Sequence, residues 1–247
     1  MGHAVEAVKL AFLIHICYDT IISVYVEVRP LVRHVPKDEE NEVKMYREFW
    51  KRVLDVILSG LAILALWPLF AVVAIWIKLD SEGPVLFRQD RIGRSKTVFG
   101  ILKFRTMRND APKNVPTHLL ADSNQWITRA GRILRRTGID ELPQLLQIFT
   151  GKMSIVGPRP ALWNQYDLIA ERDKYGANDI LPGLTGWAQV NGRDSLSVEE
   201  KAKYDGEYAV HVSFGMDVRC LIKTVSTVVT RKGFCEGIDP GESRKEP

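Results

Sequence analysis

Apolar residues recur at helical spacing in one short stretch near the middle of the chain. The stripe, at positions i, i+3, i+4 and i+7, consists of Leu142, Leu145, Leu146 and Phe149. This period predicts a helix with one buried face. We expect Asp140 to cap its start, Pro143 to lie in its first turn and Gly151 to end it. Because free backbone N–H groups at a helix start favour an ionised acid, Asp140, beside Glu141, is a candidate nucleophile or metal ligand, with capping alone as the alternative.

A second pattern is the uncharged apolar segment at 56–77. As a helix it would be roughly 30 Å long, which is enough to cross a bilayer. Pro68 interrupts it, and Lys and Arg are about equally frequent on its two sides. The pattern therefore favours a helix bent at Pro68 that enters and leaves on one side, while a single crossing stays open. Lys51, Arg52 and Asp55 precede the segment, and we expect Asp55 to pair with Arg52 at the membrane interface.

Alternating apolar and polar residues predict two strands, at 85–88 and 97–107, around a turn at 92–95. Because side chains alternate between the two faces of a strand, Lys103 and Arg105 are expected to share a face. Two cations on one face are suited to clamping phosphate groups, although a solvated strand face would have the same pattern.

The elements around the acidic pair are predicted to be mostly helical. A polar stretch at 109–125 is typical of a long loop and is a candidate lid. The next helix presents a basic face suited to acidic lipid headgroups or to a substrate, formed by Arg129, Arg132, Arg135 and Arg136. Further helices are expected at 163–175, 199–208 and 216–230. The apolar stripe of the last helix is expected to pack in the core, with a membrane surface as the alternative.

Two turns between these helices are candidates for substrate contact. A short strand at 152–156 leads into Gly-Pro-Arg-Pro, and the prolines on both sides of Arg159 restrict its backbone, which would hold its guanidinium group against a phosphate. A purely structural turn is the alternative. The glycine-rich loop at 181–193 would bring backbone N–H groups close to a ligand. Its candidate ligand contacts are Pro182, Gly183, Thr185, Gly186, Asn191 and Arg193.

Composition narrows the class of protein. The chain has 247 residues, a formal net charge of +4 and three scattered cysteines, which indicates one substantial core and neither a disulfide framework nor a zinc site. Basic residues cluster around apolar segments, which favours membrane lipid or small anions over nucleic acid as partners. The expected domains are an N-terminal extension and linker with an interfacial helix at 1–44, a membrane helix at 45–80, a catalytic domain at 81–233 and a flexible tail at 234–247.

Six motifs, taken together and in this order, resemble the bacterial sugar transferases, which are monotopic phosphoglycosyl transferases, in their short form. They are residues 51–55 (KRVLD), the apolar segment with Pro68, and residues 103–107 (KFRTM), 140–144 (DELPQ), 156–160 (VGPRP) and 182–186 (PGLTG). The resemblance implies an α/β fold, in which a small catalytic domain lies on the cytoplasmic face of the bacterial inner membrane. It also implies one re-entrant, Pro-kinked membrane helix, for which Lys51, Arg52, Asp55 and Pro68 are the anchor residues, and several interfacial amphipathic helices.

The resemblance also implies a reaction. Members of this family move a sugar 1-phosphate from a UDP-sugar to undecaprenyl phosphate, release UMP and use Mg²⁺, as the first membrane step of glycan assembly. By resemblance, Asp140 would bind the metal and attack as the nucleophile to form an aspartyl-phosphosugar intermediate, with assistance from Glu141. Lys103, Arg105 and Arg159 would hold phosphate oxygens.

Two alternatives stay open. In a direct transfer, Asp140 would act only as a metal ligand or base, without a covalent intermediate. A non-catalytic membrane scaffold of a glycan assembly complex would need neither acid, and it is disfavoured because it has no use for the phosphate-clamp residues. Nothing in these residues selects one sugar, one glycan pathway or one oligomeric state.

Overall fold

The computed structural model describes residues 45–111 and 125–230, which form a mixed helix and strand architecture. In chain order the elements are a π-helical turn (Tyr46–Trp50), helix α1 (Lys51–Asp80), strands β1 (Leu86–Ile92) and β2 (Val98–Phe104), helices α2 (Arg129–Thr137) and α3 (Gln144–Phe149), strand β3 (Ser154–Val156), helix α4 (Tyr166–Asp173), strand β4 (Gly183–Thr185), and helices α5 (Trp187–Val190), α6 (Val198–Val210) and α7 (Phe214–Thr230). The predicted mixed class is confirmed. The N-terminal extension, most of the lid loop and the tail lie outside the described residues.

Helix α1 is the only helix in the described ranges that is long and apolar enough to cross a membrane. It runs for 30 residues and continues through Pro68, although proline removes one backbone hydrogen bond from a helix. Pro68 therefore does not end the helix, and the re-entrant path stays a prediction.

One side of α1 packs against the rest of the protein along its whole length. Its buried residues follow a helical stripe of Asp55, Ser59, Val73 and Ile77. Between them, partly buried apolar side chains contact the core beneath β2 and α3, namely Ala62, Ile63, Leu66 and Phe70. The opposite side is apolar and exposed, with Ile57, Leu61, Leu64, Trp67, Val72, Ile75 and Leu79. The helix thus lies along the domain and presents an apolar face outward.

Arginines fasten both ends of α1 to this domain. At the first turn, Arg52 donates from Nη1 to the carbonyl oxygen of Ile148 (2.6 Å) and from Nη2 to that of Phe149 (2.9 Å), which are carbonyls at the end of α3. Asp55 accepts a hydrogen bond from the Ile155 N–H at 2.9 Å. The predicted Arg52–Asp55 pair is therefore wrong. Arg52 and Asp55 instead form hydrogen bonds with α3 and β3, because the first turns of α1 pack against these two elements.

The other end of α1 is held by Arg105. Its Nη1 donates to the carbonyl oxygen of Glu82 (2.6 Å), and its Nη2 donates to the carbonyl oxygen (2.6 Å) and hydroxyl (2.9 Å) of Ser81. These groups follow the last turn of the helix, where carbonyls lack partners within the helix. A cation at this end is also favoured by the helix dipole.

Strands β1 and β2 form the predicted antiparallel hairpin. Their register runs from Leu86 opposite Phe104 to Ile92 opposite Val98. Strand β2 is shorter than predicted, because β1 begins at Leu86 and so offers no strand partner to the residues after Phe104. Lys103 thus lies within β2, whereas Arg105 lies just past its end.

Strands β3 and β4 pair in parallel, with Ser154 opposite Gly183. The sequence predicted a ligand-binding loop here, and for these residues the loop assignment is wrong. A Cβ added at Gly183 would lie 2.1 Å from the backbone N of Gly157, and one added at Gly186 would lie 2.0 Å from its carbonyl oxygen. The glycines therefore allow two backbone segments to approach each other, and this packing supports the turn that carries Arg159.

The later helices lie close to their predicted positions, but their bounds and their buried residues differ in part from the predictions. Helix α4 is shorter than the predicted 163–175. Helix α6 begins with a capping box and extends beyond 199–208. In α7 the predicted apolar stripe faces the core only in part: Val218 and Ile222 are partly buried, whereas Leu221 and Val225 are exposed. Asp217, which is not in the stripe, is buried. The Asp217 carboxylate faces inward because it accepts hydrogen bonds from the side chains of Tyr46, Lys51 and Tyr208.

Candidate active site

A short 3₁₀ turn, Ile139–Glu141, carries the two adjacent acids between α2 and α3. Gly138, at the end of α2, has a positive φ of 72°, which reverses the chain direction. Asp140 is only 8% exposed. The N-cap of α3 is Pro143, so the predicted capping role of Asp140 is wrong. The acid instead lies within the turn that precedes the helix.

Helix α3 buries only part of the predicted apolar stripe, since Leu145 is buried and Leu142 packs against the core. Leu146 and Phe149 are exposed, while Gln144 and Gln147 are buried. The Gln147 side chain donates to the carbonyl of Gly100 (2.8 Å) and accepts from the N–H of residue 102 (2.8 Å), so it satisfies the outer edge of β2. Helix α3, and with it the acidic turn, is thereby fixed against this strand.

Glu141 is the centre of an ion-pair cluster drawn from three elements. Its Oε1 accepts from Lys103 Nζ on β2 (2.6 Å) and from Arg159 Nη2 on the turn after β3 (3.2 Å). Burial alone would raise the pKa of Glu141, but Lys103 and Arg159 hold that pKa well below its ordinary value. Glu141 is therefore ionised at neutral pH and orients both cations.

A cavity of about 420 Å³ lies beside this cluster and is lined by Asp140, Lys103 and Arg159. In the part of the chain that the structure describes, its wall carries two carboxylates, those of Asp140 and Asp205. It also carries ten cationic side chains, which are Arg88, Arg91, Lys103, Arg105, Arg108, Arg135, Arg159, Arg172, Arg193 and Lys201. Some of these charges are paired; for example, Arg172 and Asp205 form a buried ion pair. Such an excess of cations favours an anionic ligand, and phosphate groups are the common choice for arginine-rich sites.

The predicted substrate residues fall into two groups. Lys103, Arg105, Arg159 and Arg193 line the cavity with Asp140. Two Arg105 nitrogens are occupied at the end of α1, so a role in phosphate binding stays a prediction. Five other predicted residues do not line the cavity, namely Pro182, Gly183, Thr185, Gly186 and Asn191. They support the Arg159 turn or pack against α7, and direct contact with a nucleotide sugar stays a prediction for them.

Sequence reasoning missed several cavity residues, of which Arg91 is the clearest. Phe87, Gln89 and Arg91 occupy the less exposed positions of β1, between the exposed residues Arg88 and Asp90. Gln89 and Arg91 are polar residues at inward-facing positions of a strand, and this pattern could have indicated that β1 contributes to the site.

The acids suit a metal that is shared with a substrate. Among the described residues, no group of three or more His, Cys, Asp or Glu side chains could hold a metal. Mg²⁺ usually takes one or two carboxylates and completes its shell with phosphate oxygens and water. Asp140 fits this pattern, whereas Glu141 already accepts from two cations.

Comparison with known proteins supports this interpretation. The family model for bacterial sugar transferases matches residues 46–231. A UDP-glucose:undecaprenyl-phosphate glucose-1-phosphate transferase from Xanthomonas campestris pv. campestris is 36% identical over 189 residues, which are 74% of this chain and 39% of that protein. The exopolysaccharide production protein PSS of Rhizobium leguminosarum bv. phaseoli is 40% identical over 197 residues, which are 74% of this chain and 98% of that protein.

A third relative differs in its named sugar. The UDP-N-acetylgalactosamine-undecaprenyl-phosphate N-acetylgalactosaminephosphotransferase of Aeromonas hydrophila is 35% identical over 191 residues, which are 75% of this chain and 45% of that protein. The chain thus spans less than half of the Xanthomonas and Aeromonas proteins and nearly all of the Rhizobium protein. Because the relatives name different sugars, similarity alone selects no sugar for this chain.

Proposed function

The chain belongs to the bacterial sugar transferase family, and from that premise we propose that it transfers a sugar 1-phosphate from a UDP-sugar to undecaprenyl phosphate and releases UMP. The observation that carries the proposal is that Asp140, Lys103 and Arg159 line one strongly cationic cavity. The donor brings two anionic phosphates and the nucleophile is itself an anion, so positive charge must be present before they can meet. The cavity wall supplies that charge.

The geometry favours Asp140 over Glu141 as the nucleophile. Glu141 is engaged by two cations, and its lowered pKa makes it a weak nucleophile and a poor proton donor at neutral pH. We therefore assign Glu141 to orienting Lys103 and Arg159, in place of the proton transfer suggested by its position in the motif. Asp140 lies next to it on the cavity wall.

The proposed transfer has two balanced steps. A carboxylate oxygen of Asp140 attacks the β-phosphorus of the UDP-sugar, a new P–O bond forms, and the bond to the bridging oxygen breaks. UMP leaves with that electron pair. A phosphate oxygen of undecaprenyl phosphate then attacks the same phosphorus and releases the Asp140 carboxylate. Neither step requires a proton.

We include Mg²⁺ in the proposal, with Asp140 as its protein ligand. When bound, the metal would neutralise phosphate charge and polarise the P–O bonds. Lys103 and Arg159 would bind the remaining phosphate oxygens, and their bonds to Glu141 would keep these cations in place through both steps.

A mass measurement tests the covalent step. Purified protein incubated with a UDP-sugar and no acceptor should gain the mass of one sugar phosphate, and Asp140→Asn should not. Asp90→Asn is the matched control, because Asp90 is exposed on β1 and does not line the cavity. Labelled UMP should also exchange into the UDP-sugar without acceptor. Full turnover by Asp140→Asn would exclude Asp140 as the nucleophile, and turnover without exchange would favour direct transfer.

We also propose that α1 enters and leaves the lipid on the cytoplasmic face. Its first turns and the two residues that follow its last turn are tied to the same domain, through Arg52 and Arg105. The exposed apolar residues of α3 and α7 support interfacial contact of these helices. The Phe149 ring lies against α1, because a Cβ added at Gly60 would be 3.3 Å from it.

Cysteine labelling tests this topology. Single cysteines at Glu48 and Glu82, both exposed, would be introduced after the native cysteines are replaced by alanine. A re-entrant path predicts that an impermeant reagent labels both positions in inside-out vesicles and neither in right-side-out vesicles. Labelling of the two positions from opposite sides would establish a single crossing.

A further inference from the structure

We propose that Arg91 is a further phosphate-binding residue, which contacts a phosphate group in the cavity through its Nε beside Arg159. No motif of the sequence analysis included this residue. The assignment rests on the proposed function, because the phosphate would belong to one of the two substrates. It is carried by a buried donor without an acceptor and by an excess of positive charge at the same place.

The guanidinium group of Arg91 is held by two of its three nitrogens. Nη1 donates to the carbonyl oxygen of Pro160 (3.0 Å), and Nη2 donates to Oε1 of Gln89 (2.7 Å). The backbone is fixed as well, because Arg91 forms an isolated antiparallel β-bridge with Leu162. In addition, the N–H of Ile92 donates to the carbonyl oxygen of Ala161 (2.9 Å). The side chain therefore has a single orientation on the cavity wall.

The third nitrogen, Nε, is buried and has no hydrogen-bond partner among the described residues. A buried donor without an acceptor destabilises the folded protein, and more so when the group is charged. Native proteins rarely tolerate this cost without a reason such as a missing ligand. Because Arg91 lines the cavity, a ligand oxygen is the acceptor that would remove the cost.

The charges around Arg91 are unbalanced in the same sense. Burial first, and then the neighbouring Arg159, lower the pKa of Arg91 to about 9, and Glu141 counteracts this only in part. Glu141 is already bonded to Lys103 and Arg159. Arg91 and Arg159 therefore lie close enough to repel each other, and Glu141 offsets this repulsion only in part. A phosphate anion in the cavity would offset it further.

A purely structural role explains less of this arrangement. Holding the Pro160 carbonyl requires one neutral donor, and a buried cation is a costly way to provide it. Arginine suits phosphate recognition because its planar guanidinium group presents several donors in a fixed geometry. Arg91 thus both braces the Arg159 turn and adds a donor of its own.

Binding of phosphate ligands to the full-length protein tests the proposal without requiring turnover. UMP and farnesyl phosphate, a soluble stand-in for the lipid acceptor, would be titrated calorimetrically into the protein in detergent. Arg91→Gln should weaken binding of the ligand whose phosphate it contacts by about 10- to 100-fold, the usual loss for a charge-assisted hydrogen bond. Weaker binding of UMP alone assigns Arg91 to the donor phosphates, and weaker binding of farnesyl phosphate alone assigns it to the acceptor. Unchanged binding of both would overturn the proposal.

The matched control is Arg94→Gln. Arg94 follows β1, is exposed and does not line the cavity, so removing its charge should change either affinity by less than about twofold. If Arg91→Gln does not fold, Arg91→Lys replaces it. A lysine retains the charge but has one nitrogen, which cannot span Pro160 and a phosphate together, so binding should weaken by at least about fivefold. Wild-type affinity in Arg91→Lys would overturn the proposal.

A double-mutant cycle separates direct contact from bracing. If Arg91 acts only by positioning Arg159, then Arg91→Gln should cause no further loss of affinity in an Arg159→Gln background. A further loss of at least fivefold supports direct contact, and no further loss overturns it. Failure here is distinct from failure of the proposed function. Wild-type protein that binds neither ligand would contradict both, whereas equal binding by wild type and Arg91→Gln would contradict only the role of Arg91.

Discussion

Replacing Glu141 by glutamine tests the electrostatic basis of the site most directly. The substitution keeps the shape of the side chain but removes the charge that Lys103 and Arg159 share. Lys103 Nζ lies 2.6 Å from Glu141 Oε1, and each of the two side chains is 18% exposed. A charge-assisted bond of this kind contributes about 1.5 to 3 kcal/mol. The second contact, 3.2 Å long to an Arg159 side chain that is 33% exposed, is weaker because water screens it, and adds about 0.5 kcal/mol.

We therefore expect Glu141→Gln to lower the free energy of unfolding at pH 7 by about 2 to 3 kcal/mol. The pKa of Glu141 is lower in the folded protein than its ordinary value of 4.5. The unfolded chain therefore takes up the proton first, and the contribution is complete above that pH and declines as the pH falls below it. The decline is about 1.4 kcal/mol per pH unit, so the gap between wild type and variant should narrow by about 1.4 kcal/mol at pH 3.5.

Urea unfolding in mild detergent, followed by tryptophan fluorescence, measures this gap at each pH. Glu171→Gln is the control, because it makes the same chemical change in an ion pair whose lysine partner, Lys174, is 63% exposed. That variant should stay within about 0.5 kcal/mol of wild type. Equal stability of Glu141→Gln and wild type at pH 7, or a gap that stays constant below pH 4.5, would refute the reasoning.

Three further predictions concern packing, the end of α1 and pH. Gly186→Ala should prevent folding or lower the unfolding free energy by more than about 3 kcal/mol, because its Cβ would lie 2.0 Å from the Gly157 carbonyl oxygen. Gly215→Ala is the control and should leave the unfolding free energy unchanged in the same urea assay, because the space around Gly215 is open. Arg105→Gln should release the last turn of α1 and increase its protease cleavage several-fold relative to wild type, because two nitrogens that hold the groups after the helix are lost. The affinity for the phosphate ligand that Arg91 contacts should fall as the pH rises above about 9, where Arg91 loses its proton, and calorimetry at pH 7.5 and pH 10 should show a smaller fall for Arg91→Gln.

The parts of the fold that depend on local pattern were predictable from the sequence. The hairpin of β1 and β2 followed from alternation around a turn, and the capped start of α6 lies within one residue of its predicted position. The convergence of Lys103, Glu141 and Arg159 was anticipated only because separate motifs together resembled one family. No spacing along the chain would have brought a strand, a turn and a Gly-Pro-Arg-Pro segment to the same carboxylate.

The errors share a physical cause, which is that tertiary partners decided the outcome. Gln147 is buried and Leu146 exposed because the glutamine amide satisfies the edge of β2, and helical periodicity alone ranks these two residues the other way. Arg105 was assigned to phosphate because it alternates with Lys103, yet the strand ends between them. The glycines at 183 and 186 were correctly recognised as sites of close approach, but the approaching group is the Gly157 backbone.

The hydrogen bonds from Arg52 to the last carbonyls of α3 couple the position of α1 to that of α3. Helix α3 follows the turn that carries Asp140, so we expect a displacement of α1 to be transmitted through Arg52 to the carboxylate that we propose as the nucleophile. A bilayer of different thickness would tilt α1 and thereby shift the carboxylate relative to bound phosphates. We expect turnover in vesicles to vary with acyl-chain length, and substitution of Arg52 by glutamine to flatten that dependence.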